Sequence, residues 1–181
     1  MPQILRANAR FDLAKLNWLN GEYLREMETD RFYELSIQAL NRAGLDTHRF
    51  PPEYVKAALD TCKGKIKILG ELPAYAGFYF KDNFTLDPAA VQKDFTAENK
   101  PGLQKLRDAF ARLPVFNAAA LETSLKSVAA ELGVKVGVLV HPTRLATTGA
   151  AAGPSLYHLM DILGKERTLA RIDRALALSG W

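Results

Sequence analysis

Cysteine is nearly absent from this chain of 181 residues: Cys62 stands alone. That excludes an internal disulfide framework and fits a reducing compartment. Long apolar runs are missing as well. No stretch reaches the roughly 18 residues of a membrane span, and the opening Met1-Pro2-Gln3-Ile4-Leu5-Arg6 lacks the basic-then-apolar layout of a signal peptide. Histidine is scarce and scattered: His48, His141 and His158 make no metal-ligand spacing with each other or with Cys62. No strand, glycine-rich loop and helix follow one another as a nucleotide-binding fingerprint requires, since Gly149-Ala150-Ala151-Ala152-Gly153-Pro154 follows no such strand. A nucleophile elbow is lacking too. The expectation is a cytoplasmic protein with no membrane partner, no catalytic residues and no metal site.

What is present is helical periodicity. Hydrophobic residues make up 48% of the chain, enough for a proper core. Asp12 suits the N-cap of a first helix with Leu13, Leu16, Trp18, Leu19, Tyr23 and Leu24 at near-helical spacing. Asp30 starts a second, carrying Phe32, Leu35, Ile37 and Leu40 and ending at Gly44. Pro51-Pro52 opens a third, and Pro73 opens a segment with Tyr75, Phe78, Tyr79 and Phe80. Residues 81–88 are rich in turn formers and mark a subdomain boundary. Beyond it the pattern predicts helices over 88–97, 101–113, 117–132 and 154–179, the last broken at Gly164, with Asn117 as an N-cap and Gly133 as a stop. Gly137-Val138-Leu139-Val140 is too short and isolated for a sheet and reads as buried helix.

Net charge is +4, and the excess is localised: residues 100–181 hold 11 Lys/Arg against 6 Asp/Glu. A polyanionic partner and an ordinary solvated surface both account for it. Two segments suit binding. In Lys63-Gly64-Lys65-Ile66-Lys67, three ammonium groups flank a flexible glycine. They can meet phosphates or base edges of a single-stranded loop, or form a solvated helix start. The stretch from His141 to Leu156 combines Arg144, several hydroxyls and a small-residue loop that feeds a helix begun by Pro154. A helix N-terminus offers free N–H donors to a phosphate or base edge, although a plain loop-to-helix turn has the same composition.

Phe11-Asp12-Leu13-Ala14-Lys15-Leu16-Asn17-Trp18-Leu19-Asn20-Gly21-Glu22-Tyr23-Leu24-Arg25 resembles the segment that follows the catalytic core of glutamyl-tRNA synthetases. Arg144-Leu145-Ala146-Thr147-Thr148-Gly149, Gly153-Pro154-Ser155-Leu156, and Leu163-Gly164-Lys165-Glu166-Arg167 through Leu176 are similar to that family's C-terminal signature. Lys65-Ile66-Lys67-Ile68-Leu69 and Phe78-Tyr79-Phe80 fall between them in matching order. The resemblance covers essentially the whole chain.

It implies an all-α fold: the two-subdomain helical anticodon-binding region of a class I aminoacyl-tRNA synthetase. Residues 1–85 would supply the stem-contact and first anticodon-binding subdomain and 86–181 the second. The implied function is tRNA anticodon-arm binding, in support of ATP-dependent charging of tRNA with glutamate by a catalytic domain that this chain lacks. Neither a HIGH nor a KMSKS motif occurs, so the chain reads as part of a longer protein and Met1 need not be a native start. ATP and magnesium would act only in that missing part; this fragment would be inactive, monomeric and cofactor-free. The tRNA-binding residues implied by motif are Lys63, Lys65, Lys67, Arg144, Thr147, Gly153, Pro154, Ser155 and Leu156. Some family members place an arginine at Lys65 against an anticodon base. Lysine keeps the charge but loses the planar fork, which weakens bidentate base reading. Leu156 would pack on a base face. The alternative is a helical protein–protein adaptor that has kept the core but not the RNA contacts. With acceptor-arm contacts absent, a gel-shift titration of the chain alone against tRNA for glutamate is expected to show weak, salt-dependent binding at physiological salt; nanomolar affinity would contradict it.

Overall fold

Side chains that satisfy orphan backbone N–H groups set the starts of four helices. The Asp12 carboxylate accepts the Lys15 N–H at 3.1 Å, and Asn117 Oδ1 accepts that of Ala120 at 2.9 Å. The second helix departs from expectation: Glu28 caps it, accepting the Asp30 and Arg31 N–H groups, so it begins at Thr29. A computed structural model describes residues 12–179 and 181. The expectations that rest on Met1–Arg6 and on Phe11 lie outside them.

Among the described residues all regular structure is helical: α1 Leu13–Glu26, α2 Thr29–Arg42, α3 Pro52–Asp60, α4 Leu72–Phe80, α5 Pro88–Asp94, α6 Lys100–Ala111, α7 Ala118–Glu131, α8 Val136–Thr148, α9 Leu156–Leu163 and α10 Lys165–Leu176. Single 3-10 turns at Thr47–Arg49 and Leu69–Glu71 precede α3 and α4. No helix is long and apolar enough to cross a membrane.

The helices before and after residues 81–87 pack mainly among themselves. On the first side α2, α3 and α4 bury Phe32, Leu40, Leu59, Leu72 and Tyr79. On the second, α6, α7, α8 and α10 bury Leu103, Leu106, Phe110, Leu121, Leu125 and Leu139. The two sides meet where α3 lies against α9. Gly149 closes the junction from the loop side. Its carbonyl accepts the Asp87 N–H at 2.8 Å. Its φ is +81°, and a Cβ there would stand 2.6 Å from the Thr85 carbonyl oxygen, so both conformation and space require glycine.

Two expectations need correction. The apolar set of α1 is not a core face in this chain: Leu13, Trp18 and Tyr23 are more than 60% exposed, and Gly21 and Leu24 alone are buried along this helix. Helical spacing reported an amphipathic helix but not what covers it. Second, residues 141–148 are not loop. α8 runs through Pro142 to Thr148. The Thr143 and Thr147 hydroxyls donate back to the carbonyls of Leu139 and Thr143 at 2.6 and 2.8 Å, which satisfies buried polar groups inside the helix. Burial of Leu139, Leu145 and Ala146 outweighs the unfavourable propensity of Pro and Thr.

Cys62 caps this packing logic. It is fully buried at the end of α3, its Sγ 3.4 Å from the Ala58 carbonyl. Burial pushes the thiol up to about 11. The expected result is that a thiol reagent at pH 8 labels Cys62 only as fast as this end of the structure opens; labelling at the rate of a free thiol would contradict the packing.

Candidate nucleic-acid interface

After α3 the chain turns tightly, with the Lys65 N–H donating to the Cys62 carbonyl at 2.9 Å. This turn leaves Lys65 exposed at the surface. Across from it, Pro154 and Ser155 lead into α9. Because α3 packs against α9, the two segments form one open groove of about 470 Å³, with Lys65, Pro154 and Ser155 all on its walls. Residues ninety positions apart in sequence are brought together here.

The other sequence-nominated residues lie elsewhere. The Lys63 ammonium donates to the Met27 carbonyl at 2.8 Å and sits over the Phe32 ring, so it fastens the α1–α2 corner. Lys67 is exposed; its side chain runs beside Gly21 of α1 and its N–H donates to Glu71. Gly153 lies beside the Arg144 guanidinium, which donates through Nη1 to the Pro154 carbonyl at 2.6 Å. Arg144 is half-buried, has no carboxylate pair among the described residues, and holds the 149–155 loop through the Pro154 carbonyl. Burial lowers its pKa, with Tyr75 and Tyr79 opposing. Thr147 and Leu156 are corrections. Thr147 is fully buried with its hydroxyl directed at Thr143, and Leu156 is 3% exposed within the core. Neither side chain faces the groove, because the helical turn that exposes Ser155 turns Leu156 inward.

A second arrangement, unsuspected from the sequence, ties the two halves of the chain together. Arg171 of α10 is 1% exposed. Its guanidinium donates to the Thr147 carbonyl (2.6 Å), the Phe78 carbonyl (2.7 Å), the Lys81 carbonyl (3.1 Å) and Asp82 Oδ1 (2.9 Å). One planar fork thus joins the C-terminal ends of α4 and α8. Arg167, one turn earlier, donates to the same Asp82 oxygen, to the Tyr54 hydroxyl (2.6 Å) and to the Tyr79 carbonyl (3.1 Å). Partial burial works to raise the Asp82 pKa, but hydrogen bonds and charges from both arginines prevail and hold the carboxyl below its ordinary range. Sequence did carry a signal: Arg171 sits at helical spacing with buried Thr168, Ile172 and Ala175. His158, Asp60 and Asp161, which also line the groove, carried none that singled them out.

A larger groove of about 680 Å³ lies between α6 and α7, lined by Lys105, Arg112 and Val115 among others. It contains none of the nominated residues. Among the described residues no cluster of His, Cys, Asp and Glu is arranged to hold a metal ion.

A family model described as "Anticodon binding domain" matches residues 31–176. The chain is 36% identical over 182 residues to a glutamate–tRNA ligase of Moorella thermoacetica, covering 97% of this chain and 36% of that protein. It is 33% identical over 177 residues to glutamate–tRNA ligase 1 of Caldanaerobacter subterraneus, covering 97% and 37%. The crystal structure of a glutamate tRNA ligase from Elizabethkingia meningosepticum in complex with its amino acid superposes with a TM-score of 0.81 at 26% identity, covering 94% of this chain and 33% of that one. The chain therefore spans about a third of the length of the relatives it matches.

The arginine clasp has a measurable consequence. Arg171→Ala leaves buried carbonyls unpaired and Asp82 without its buried partner, a loss of about 3 kcal/mol. At roughly 2–4 °C per kcal/mol for this size, the unfolding midpoint should fall by about 6–12 °C. Asp82 also sets a pH signature. A depressed carboxyl contributes stability above its unfolded value near 4 and loses it as pH falls through the folded value. Urea midpoints of wild type and Asp82→Asn should accordingly differ at pH 7 and converge below about pH 4.

Proposed function

Since this chain belongs to the anticodon-binding domain family, as that region occurs in glutamate–tRNA ligases, we propose that it grips the anticodon arm of a tRNA for glutamate. The observation that supports this most directly is the shared groove: Lys65 from the first half of the chain and Ser155 from the second stand on one surface, where unstacked loop nucleotides can reach both. On this reading residues 1–85 and 86–181 are two helical subdomains, and Arg171 sets their relative placement. Lys65 and Lys67 supply exposed charge to the RNA backbone. Lys63, Arg144 and Thr147 act from behind, by holding the turn and the loop that carry the contacting groups. Gly153, Pro154 and the α9 start give the RNA close approach to backbone.

The parent protein is a cytoplasmic glutamate–tRNA ligase that charges its tRNA in an ATP-dependent reaction. ATP and magnesium would act in its catalytic part. The exposed Leu13, Leu16, Leu19 and Tyr23 stripe of α1 suits contact with that part, since an uncovered apolar stripe of this kind marks an interface. The chain acts as a monomer. With Lys65 in place of a forked arginine, base discrimination at this position is weaker than a bidentate contact provides. No observation favours the protein–protein adaptor.

The test is a titration of the glutamate anticodon stem-loop at 50–200 mM salt. Lys65→Ala is expected to weaken binding and reduce the slope of log affinity against log salt by about one, as loss of one phosphate contact does. Arg144→Ala is expected to cost roughly tenfold, as for one hydrogen bond made by a charged group, without that change in slope, because it acts through the Pro154 carbonyl. Unaltered affinity in both variants would remove the groove as the contact surface.

A further inference from the structure

We propose that His158 is a nucleobase-stacking residue, and that the groove beside it takes the face of an unstacked base rather than a phosphate; this rests on the reading of the groove as an RNA contact. His158 lies one turn into α9 and is exposed on the groove wall. Its Nδ1 lies 2.9 Å from Ser155 Oγ. That hydrogen bond fixes the ring and explains why the Ser155 hydroxyl makes no capping bond to α9. Pro154 and Ile162 give the groove an apolar lining next to the imidazole. A fixed, exposed aromatic ring over an apolar wall is the arrangement on which unstacked bases settle.

Charge decides against a phosphate inside the groove. Asp60 and Asp161 both line it, against the single lysine Lys65. Asp60 is held by the Tyr33 hydroxyl at 2.6 Å and Asp161 by the Ala118 N–H at 3.0 Å, so both carboxylates are anchored in place. Two fixed anions repel a phosphodiester and accept readily from base amino and imino groups. The arrangement therefore divides labour: Lys65 at the rim meets the backbone, and His158 inside meets the ring of a base.

Three variants separate stacking from charge, because His158 is exposed and its replacement need not disturb the core. The glutamate anticodon stem-loop is titrated with each at 50–200 mM salt. His158→Ala should weaken binding roughly tenfold, the size of a base–aromatic stacking loss, with the salt slope unchanged. His158→Phe should restore most of the affinity, and His158→Lys should not. A stem-loop with 2-aminopurine substituted in turn at each anticodon position should show quenching on binding at one position, lost in His158→Ala. Rescue by His158→Lys with a steeper salt slope, or affinity and quenching equal to wild type in His158→Ala, would overturn the proposal while leaving the groove as an RNA contact. Absence of any salt-dependent binding by the wild-type chain would overturn both readings.

Discussion

The guanidinium of Arg171 is the constraint on which the arrangement of this chain depends. A buried cation carries a large desolvation penalty unless its donors are matched. Here three backbone carbonyls and one carboxylate oxygen converge on it, and the Phe84 ring lies 5.0 Å from its centre; of its nitrogens, Nε has no partner among the described residues. The acceptors come from α4, α8 and the segment between the two halves. Their positions are thereby fixed relative to α10 and to one another. A lysine offers three donors from a single point and cannot span this set.

The groove follows from that junction. Its walls belong to different halves of the chain, so its width is the distance between α3 and α9. Hydrophobic contact between those helices supplies attraction but little directional control. Arg167 adds direction: it reaches from α10 to Tyr54 on α3 and Tyr79 on α4, and it lies over the Phe50 ring. Polar bonds of defined angle thus position a groove on which Lys65, Ser155 and His158 are exposed.

Most of the helices were legible in the sequence because apolar periodicity and caps act locally. Asn117 and Asp12 cap as their types suggest, and Gly133 stops α7 at positive φ. Apart from the Glu28 cap of α2, the failures involve tertiary information. Spacing identified the apolar stripe of α1 but not that it faces solvent here. Threonines and Pro142 pointed to a loop where burial maintains a helix. Motif membership nominated Thr147 and Leu156 as contacts, whereas in the fold one hydroxyl bonds its own helix and the leucine turns into the core. His158 went unnoticed because nothing near it in sequence reports that Lys65 lies across a groove from it.

Charge counting met the same limit, and for an instructive reason. The basic excess of residues 100–181 fitted both a polyanionic partner and an ordinary solvated surface, and much of it is engaged within the chain. Arg144, Arg167, Arg171 and Arg174 donate to backbone carbonyls, Lys165 donates to the Leu113 carbonyl, and Lys105, Arg107 and Lys126 pair with carboxylates. Bonding commits the carbonyl-bound arginines and Lys165 to helix ends and loops, while Lys105, Arg107 and Lys126 are taken up in surface pairs along α6 and α7. Among the described residues, the cation that lines the groove is Lys65, a flexible point charge suited to a moving phosphate. On the proposed reading, a base would be met by groups of more defined geometry: backbone, the anchored Asp60 and Asp161 carboxylates and the His158 ring.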